Sequence, residues 1–185
     1  VFGGRVFGGR VFGGREFGKV GAYECLSGTV YGTLDPAHPM NAGIVNLDKA
    51  PRNGAGLVEY ESEFSLVKPL DLALASGWLM YDVVNRGNKF ALNRLNRGAD
   101  GNRPTTAEHA GDGFLMDRGF SLIWSAWQTG VPAGMDRLNA RFPIATGPDE
   151  VTGSTSHPIT RYTQAMLPAN NPTMRAMKSL GRQAR

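Results

Sequence analysis

Residues 77–84 read GWLMYDVV and residues 120–127 read FSLIWSAW. Each is a nearly continuous apolar run, the pattern of a strand buried on both faces. Between them lie the polar stretch Asn85-Arg86-Gly87-Asn88-Lys89 and a segment with helical character. Thr105 or Thr106 caps that segment, Ala107, Ala110, Phe114, Leu115 and Met116 follow, and Gly119 stops it, with Gly111 and Gly113 weakening its first part. Strand, loop, helix, strand predicts a βαβ unit with parallel pairing. Ligands of such sheets sit beyond the carboxyl ends of the strands. Those ends are residues 85–89 and 127–130, which nominates Asn85, Arg86 and Gly87 together with Trp127 and Gln128. Backbone N–H groups of such a loop bind an anion or a developing oxyanion; the plainer alternative is that Arg86 and Lys89 only make surface salt bridges.

Upstream, Tyr23 to Leu34 predicts a strand or hairpin, with Gly28 and Gly32 as bends or bulges. Asp35-Pro36-Ala37-His38-Pro39 is a rigid turn, and residues 49–56 form a loop. From Leu57 to Pro69 the pattern alternates, with Tyr60, Ser62, Phe64 and Leu66 on one face. Glu59, Glu61, Glu63 and Ser65 take the other, expected to be the solvent face. Arg137 to Ala145 predicts a further strand and Ile159 to Thr163 the start of another. The expected fold class is α/β, antiparallel N-terminal strands leading into a βαβ core of a mixed sheet.

The 185 residues, 41% hydrophobic, suffice for one domain with its own core. No long uniform apolar run suggests a membrane span. With 25 Gly and 11 Pro the chain favours turns and short strands over a helical bundle. Lone Cys25 excludes an internal disulfide. The net charge of +4 is unevenly spread: residues 20–160 hold 11 basic and 15 acidic side chains. Arg5, Arg10, Arg15 and Lys19 outweigh Glu16 at one end, and Arg161, Arg175, Lys178, Arg182 and Arg185 stand without an acid at the other. The body therefore shows no electrostatic footprint for nucleic acid.

The chain opens VFGGRVFGGRVFGGREFG, three identical units and a decayed fourth. Five residues with two glycines cannot build a stackable solenoid unit. An RGG-like segment contacting RNA is one reading; a short tandem duplication of one FGGR turn is the favoured one. Residues 1–19 are expected to be flexible, 20–146 to form the domain, and 147–185 to be an irregular basic tail with a short helix near 173–180. Val1 in place of Met suggests a fragment or processed product.

Motifs that carry chemistry are mostly absent from the sequence. There is no G-x-S-x-G elbow, no P-loop, no G-x-G-x-x-G after a strand and no CxxC. Ser154, near Gly153 and His157, reads as loop, and Cys25 as a buried thiol. His38, His109 and His157 lack metal-ligand spacing, and GDGF at Gly111 lacks the other ligands of a calcium loop. No metal site is indicated.

Six ordered stretches carry a family likeness: FGGREFGKVGAYE, GTLDPAHPMNAGIVNLDKAPRN, VEYESEFSLVKPLD, LMYDVVNRGNK, GADGNRPTTAEHAGDGFLMDRGFSLIWSAWQ and RLNARFPIA. From about Phe12 to Ile144 the chain resembles the amino-terminal part of uncharacterised α/β-hydrolase-domain proteins. The resemblance implies a partial α/β-hydrolase fold and serine hydrolysis of an ester or related acyl group, with no cofactor. It places Asn85, Arg86 and Gly87 at the loop after the third strand, which supplies one oxyanion-hole N–H. The family's Ser, Asp or Glu, and His follow in later strands, so no catalytic residue is identifiable and this chain by itself is expected to be inactive. A truncated sheet of this kind would leave an apolar edge unpaired and Trp78, Trp124 and Trp127 unusually exposed. The competing readings are a non-catalytic module for a small anion or a partner and, third, RNA contact through the basic ends.

Overall fold

A computed structural model describes residues 6–145 of the chain. The basic tail, its expected helix near 173–180, the strand expected from Ile159, and Ser154 with His157 lie outside the described residues.

The frame is a mixed sheet of seven strands. Two long antiparallel strands form its centre, β3 (Gly21–Leu34) and β4 (Val58–Pro69). They pair without interruption from Tyr23 opposite Pro69 to Leu34 opposite Val58. The bulges expected at Gly28 and Gly32 are absent. Gly32 instead leaves room for the Tyr60 ring, since a Cβ there would sit 2.2 Å from that ring. β1 (Val6–Arg10) and the short β2 (Glu16–Phe17) pair with β3, and β7 (Ala140–Arg141) pairs with β4. On the other side of β4 come β6 (Ser121–Ser125) and, at the edge, β5 (Leu79–Tyr81). β5 and β6 are parallel, as the βαβ pattern predicts.

The elements between them differ from expectation. Residues 77–84 do not form a strand buried on both faces. Only three pair, and Leu79 at the edge is 49% exposed. Asp82 makes the last bond to β6, its N–H donating to the Ile123 carbonyl at 3.0 Å, while its carboxylate binds groups elsewhere. Its Oδ2 accepts the N–H of Phe90 and of Ala91, 2.9 and 2.8 Å away, and the indole N–H of Trp124. Those two amides open α1 (Ala91–Asn96), a helix the sequence pattern does not announce. The expected helix after Thr106 is a 3₁₀ turn over residues 107–110, then α2 (Phe114–Asp117), split by Gly111 and Gly113 at positive φ. The strand expected over 137–145 shrinks to β7.

The core packs on one face of the sheet. Tyr23, Ser65, Val67, Leu122 and Trp124 all have zero exposure. β4 therefore turns the Ser65–Val67–Pro69 side inward, opposite to the predicted orientation; Phe64 and Leu66 are half-buried on the outer face. Trp124, expected to be exposed, is sealed, whereas Trp127 is 50% exposed. The Tyr23 hydroxyl donates to the Met116 carbonyl at 3.0 Å; burial, reinforced by Asp117, pushes its pKa up, keeping it a donor.

Part of the segment expected to be flexible belongs to this core. One VFGGR copy is the strand β1. The next, residues 11–15, is a tight turn whose Phe12 is fully buried. Phe12, Phe17 and Tyr23 meet edge to face, with centroids 5.5–6.3 Å apart. Each such pair adds about 1 kcal/mol beyond its buried area. A ring so enclosed does not stack on a nucleobase.

Removing the Asp82 acceptor strands three N–H groups. We expect Asp82→Ala to lower stability in urea denaturation by about 3 kcal/mol, and Asp82→Asn, which keeps a carbonyl acceptor, by distinctly less. An Asp82→Ala transition at the wild-type midpoint would contradict this role.

Candidate functional site

The five residues nominated by position at the strand ends do come together. Arg86 and Gly87 have φ of 49° and 78°, and Asn85 and Asn88 exchange backbone hydrogen bonds of 3.1 and 3.0 Å across them. Two consecutive left-handed residues make a tight two-residue turn. Glycine is required at the second, where a Cβ would lie 2.5 Å from the Leu138 carbonyl oxygen. Gln128 closes the turn: its Oε1 accepts the Arg86 N–H at 2.8 Å. Trp127 donates its indole N–H to the Val84 carbonyl at 2.6 Å and leaves half its surface open beside the turn. Most amides of the turn are thereby engaged. Among the described residues, that of Gly87, itself buried, has no acceptor.

A larger feature lies on the inner face of β3 and β4, where the core stops. A cleft of about 1050 Å³ opens there. The period-2 pattern of β3 carries the face outward from sealed Tyr23 to Cys25, Ser27, Thr29 and exposed Tyr31. Cys25, Ser27 and Ser65 form a polar floor. The Cys25 Sγ lies 3.3 Å from Ser65 Oγ and 3.6 Å from Ser27 Oγ, and the Ser27 hydroxyl donates to Ser65 at 3.4 Å. Cys25, predicted as a buried thiol, is half-buried and lines the cleft.

Lys89 enters the cleft from the loop. Asn102, nearly buried, holds it twice: its side-chain oxygen accepts the Lys89 backbone N–H at 2.8 Å, and its carbonyl accepts Nζ–H at 2.6 Å. Asn102 spends its own amide hydrogens on Asn88 Oδ1 and the Met135 carbonyl. The ammonium stands 5.5 Å from the Trp124 ring centroid. Burial pushes the Lys89 pKa below its ordinary value, while Cys25, Asp136 and Glu63 pull the other way. A shifted amine in a cleft with nucleophile-type side chains marks a candidate site on physical grounds.

Sequence pattern alone missed Ser27, Ser65, Glu63 and Asn102. Alternation puts Ser65 and Glu63 on the solvent face of β4, because polar residues that border a cleft carry the same pattern as residues facing solvent. His38 and His109 cap turns: His38 Nδ1 accepts the Met40 N–H and His109 meets Thr106. Among the described residues no group of three or more His, Cys, Asp or Glu is arranged to hold a metal ion. Among them, too, no helix is long and apolar enough to cross a membrane.

The lowered lysine pKa has a signed consequence. Between that value and the ordinary one of about 10.4, the unfolded chain holds a proton the folded chain has shed, so this group's contribution to stability rises with pH. In a Cys25→Ser background, which removes the thiol titration, the stability of the Lys89 protein minus that of Lys89→Met is expected to rise from pH 7 toward pH 10.5. A falling difference in urea denaturation would contradict the burial.

No family model, no curated protein and no solved structure matches the chain.

Proposed function

We propose that this chain supplies the amino-terminal part of an α/β-hydrolase-type serine hydrolase acting on an ester or related acyl group. In this reading the turn at Asn85, Arg86 and Gly87 is the oxyanion loop, and Trp127 and Gln128 line the acyl pocket. The observation that carries it is the parallel β5–β6 pair at the sheet edge, with this turn just beyond the carboxyl end of β5. A sheet of this class is covered on both faces. Here the outer face presents Leu26, Phe64, Leu66 and Ile123, half-buried and apolar, as a surface suited to further helices.

In this reading each of these residues has a role. Gly87 N–H is the donor for a carbonyl oxygen as it gains charge. Gln128 fixes the turn by holding Arg86, and the open flank of Trp127 is an apolar wall for the acyl chain. The 185 residues hold no G-x-S-x-G elbow. Oxyanion donors and binding without a nucleophile retain only a small part of the rate enhancement.

The purified 185-residue chain is therefore expected to bind p-nitrophenyl butyrate with a change in Trp127 fluorescence, lost in Trp127→Phe, and to release no nitrophenolate above background. Absence of any Trp127 response, or turnover titratable with a fluorophosphonate, would overturn the proposal.

A further inference from the structure

The cleft over β3 and β4 carries more positive charge than its own surroundings neutralise. Arg10, Lys89, Arg103 and Arg137 line it, against Glu63 and Asp136. None of the four cations forms an ion pair with a described residue. One Glu63 oxygen is occupied, accepting the Asn139 N–H at 2.8 Å. Lys89 is the telling member. An ammonium has three donors, and among the described residues Lys89 Nζ has one acceptor, the Asn102 carbonyl. A partly buried charge without a counter-ion is costly, and an anion arriving from outside would offset that cost. Beside it the floor offers two hydroxyls and a thiol. The volume, about 1050 Å³, suits a small molecule.

We propose that this cleft binds a small organic oxyanion, a carboxylate or phosphate on a compact body. Lys89 is its cation, and Ser27, Ser65 and Cys25 are the hydrogen-bonding floor. Arg137 flanks the head group, and exposed Arg10 and Arg103 draw the anion in from solvent. The body lies along β3 toward Thr29 and exposed Tyr31, which also line the cleft. The site is separate from the Asn85–Gly87 turn and does not depend on the acyl-hydrolase reading.

The test uses the full 185-residue chain titrated with phenyl phosphate, benzoate and inorganic phosphate, followed by calorimetry and backbone amide shifts. Binding that moves the amides of Cys25, Ser27 and Ser65, and that weakens at least tenfold in Lys89→Met but not in Lys49→Ala, supports the proposal. A response to phosphates alone, or to benzoate alone, assigns the head group. Wild-type protein gives a second readout: bound anion should slow alkylation of Cys25 by iodoacetamide. The proposal fails if none of the three binds at millimolar concentration, if shifts are confined to residues 85–87, or if Cys25 alkylation is unaffected at saturation.

Discussion

One carboxylate oxygen of Asp82 receives three N–H groups from two distant parts of the chain, and the site depends on that convergence. Phe90 and Ala91 open α1, and Trp124 belongs to β6. Held at both ends, residues 82–90 have little freedom: they leave β5, turn at Arg86–Gly87 and return to the helix start. Lys89 immediately precedes the anchored amides, so the same bond set that closes the loop delivers the lysine into the cleft. Trp124 is sealed beneath it, one bond from the carboxylate and 5.5 Å from the ammonium. That oxygen is thereby spent on backbone and indole donors, and the lysine faces the cleft without an ion-pair partner among the described residues.

This convergence explains what could and could not be read from the residues. The antiparallel pair and the parallel βαβ pair follow from local pattern, because alternation and apolar runs record the environment of each strand. The extent of β5 does not. Asp82 sits inside an apolar run and reads as an intrusion into a strand, whereas its partners lie 8, 9 and 42 residues away. The inward face of β4 was equally hidden. Its inward side carries Ser65 and Glu63, polar residues that alternation assigns to solvent and that here border a cleft. That the turn at 85–87 lies beside residues 127–128 follows from the strand ends of a parallel pair; the approach of Asn102, two loops away, does not.

The repeated opening shows the same limit from another side. Residues 6–10 and 11–15 are both VFGGR, yet one is a strand and the other a turn that buries Val11 and Phe12. The second copy is fixed by contacts made far along the chain: Phe12 N–H reaches the Pro104 carbonyl and Gly13 N–H that of Thr105. Local sequence is identical, so tertiary contacts decide. Those contacts also place residues 104–105 beside β1 as a wall of the cleft. Residues 6–15 of the repeat are thus part of the architecture of the cleft.

The Lys89 cleft and the neighbouring Arg86–Gly87 turn are the two places where an anion could bind, and the proposal assigns it to the cleft. The most direct measurement is an anomalous difference map from crystals of the 185-residue protein soaked in tungstate. A tungsten peak within hydrogen-bonding reach of Lys89 Nζ, over Ser27 and Ser65, is the expected result. A map with its peak at the Arg86–Gly87 turn, or with the cleft empty, would contradict it.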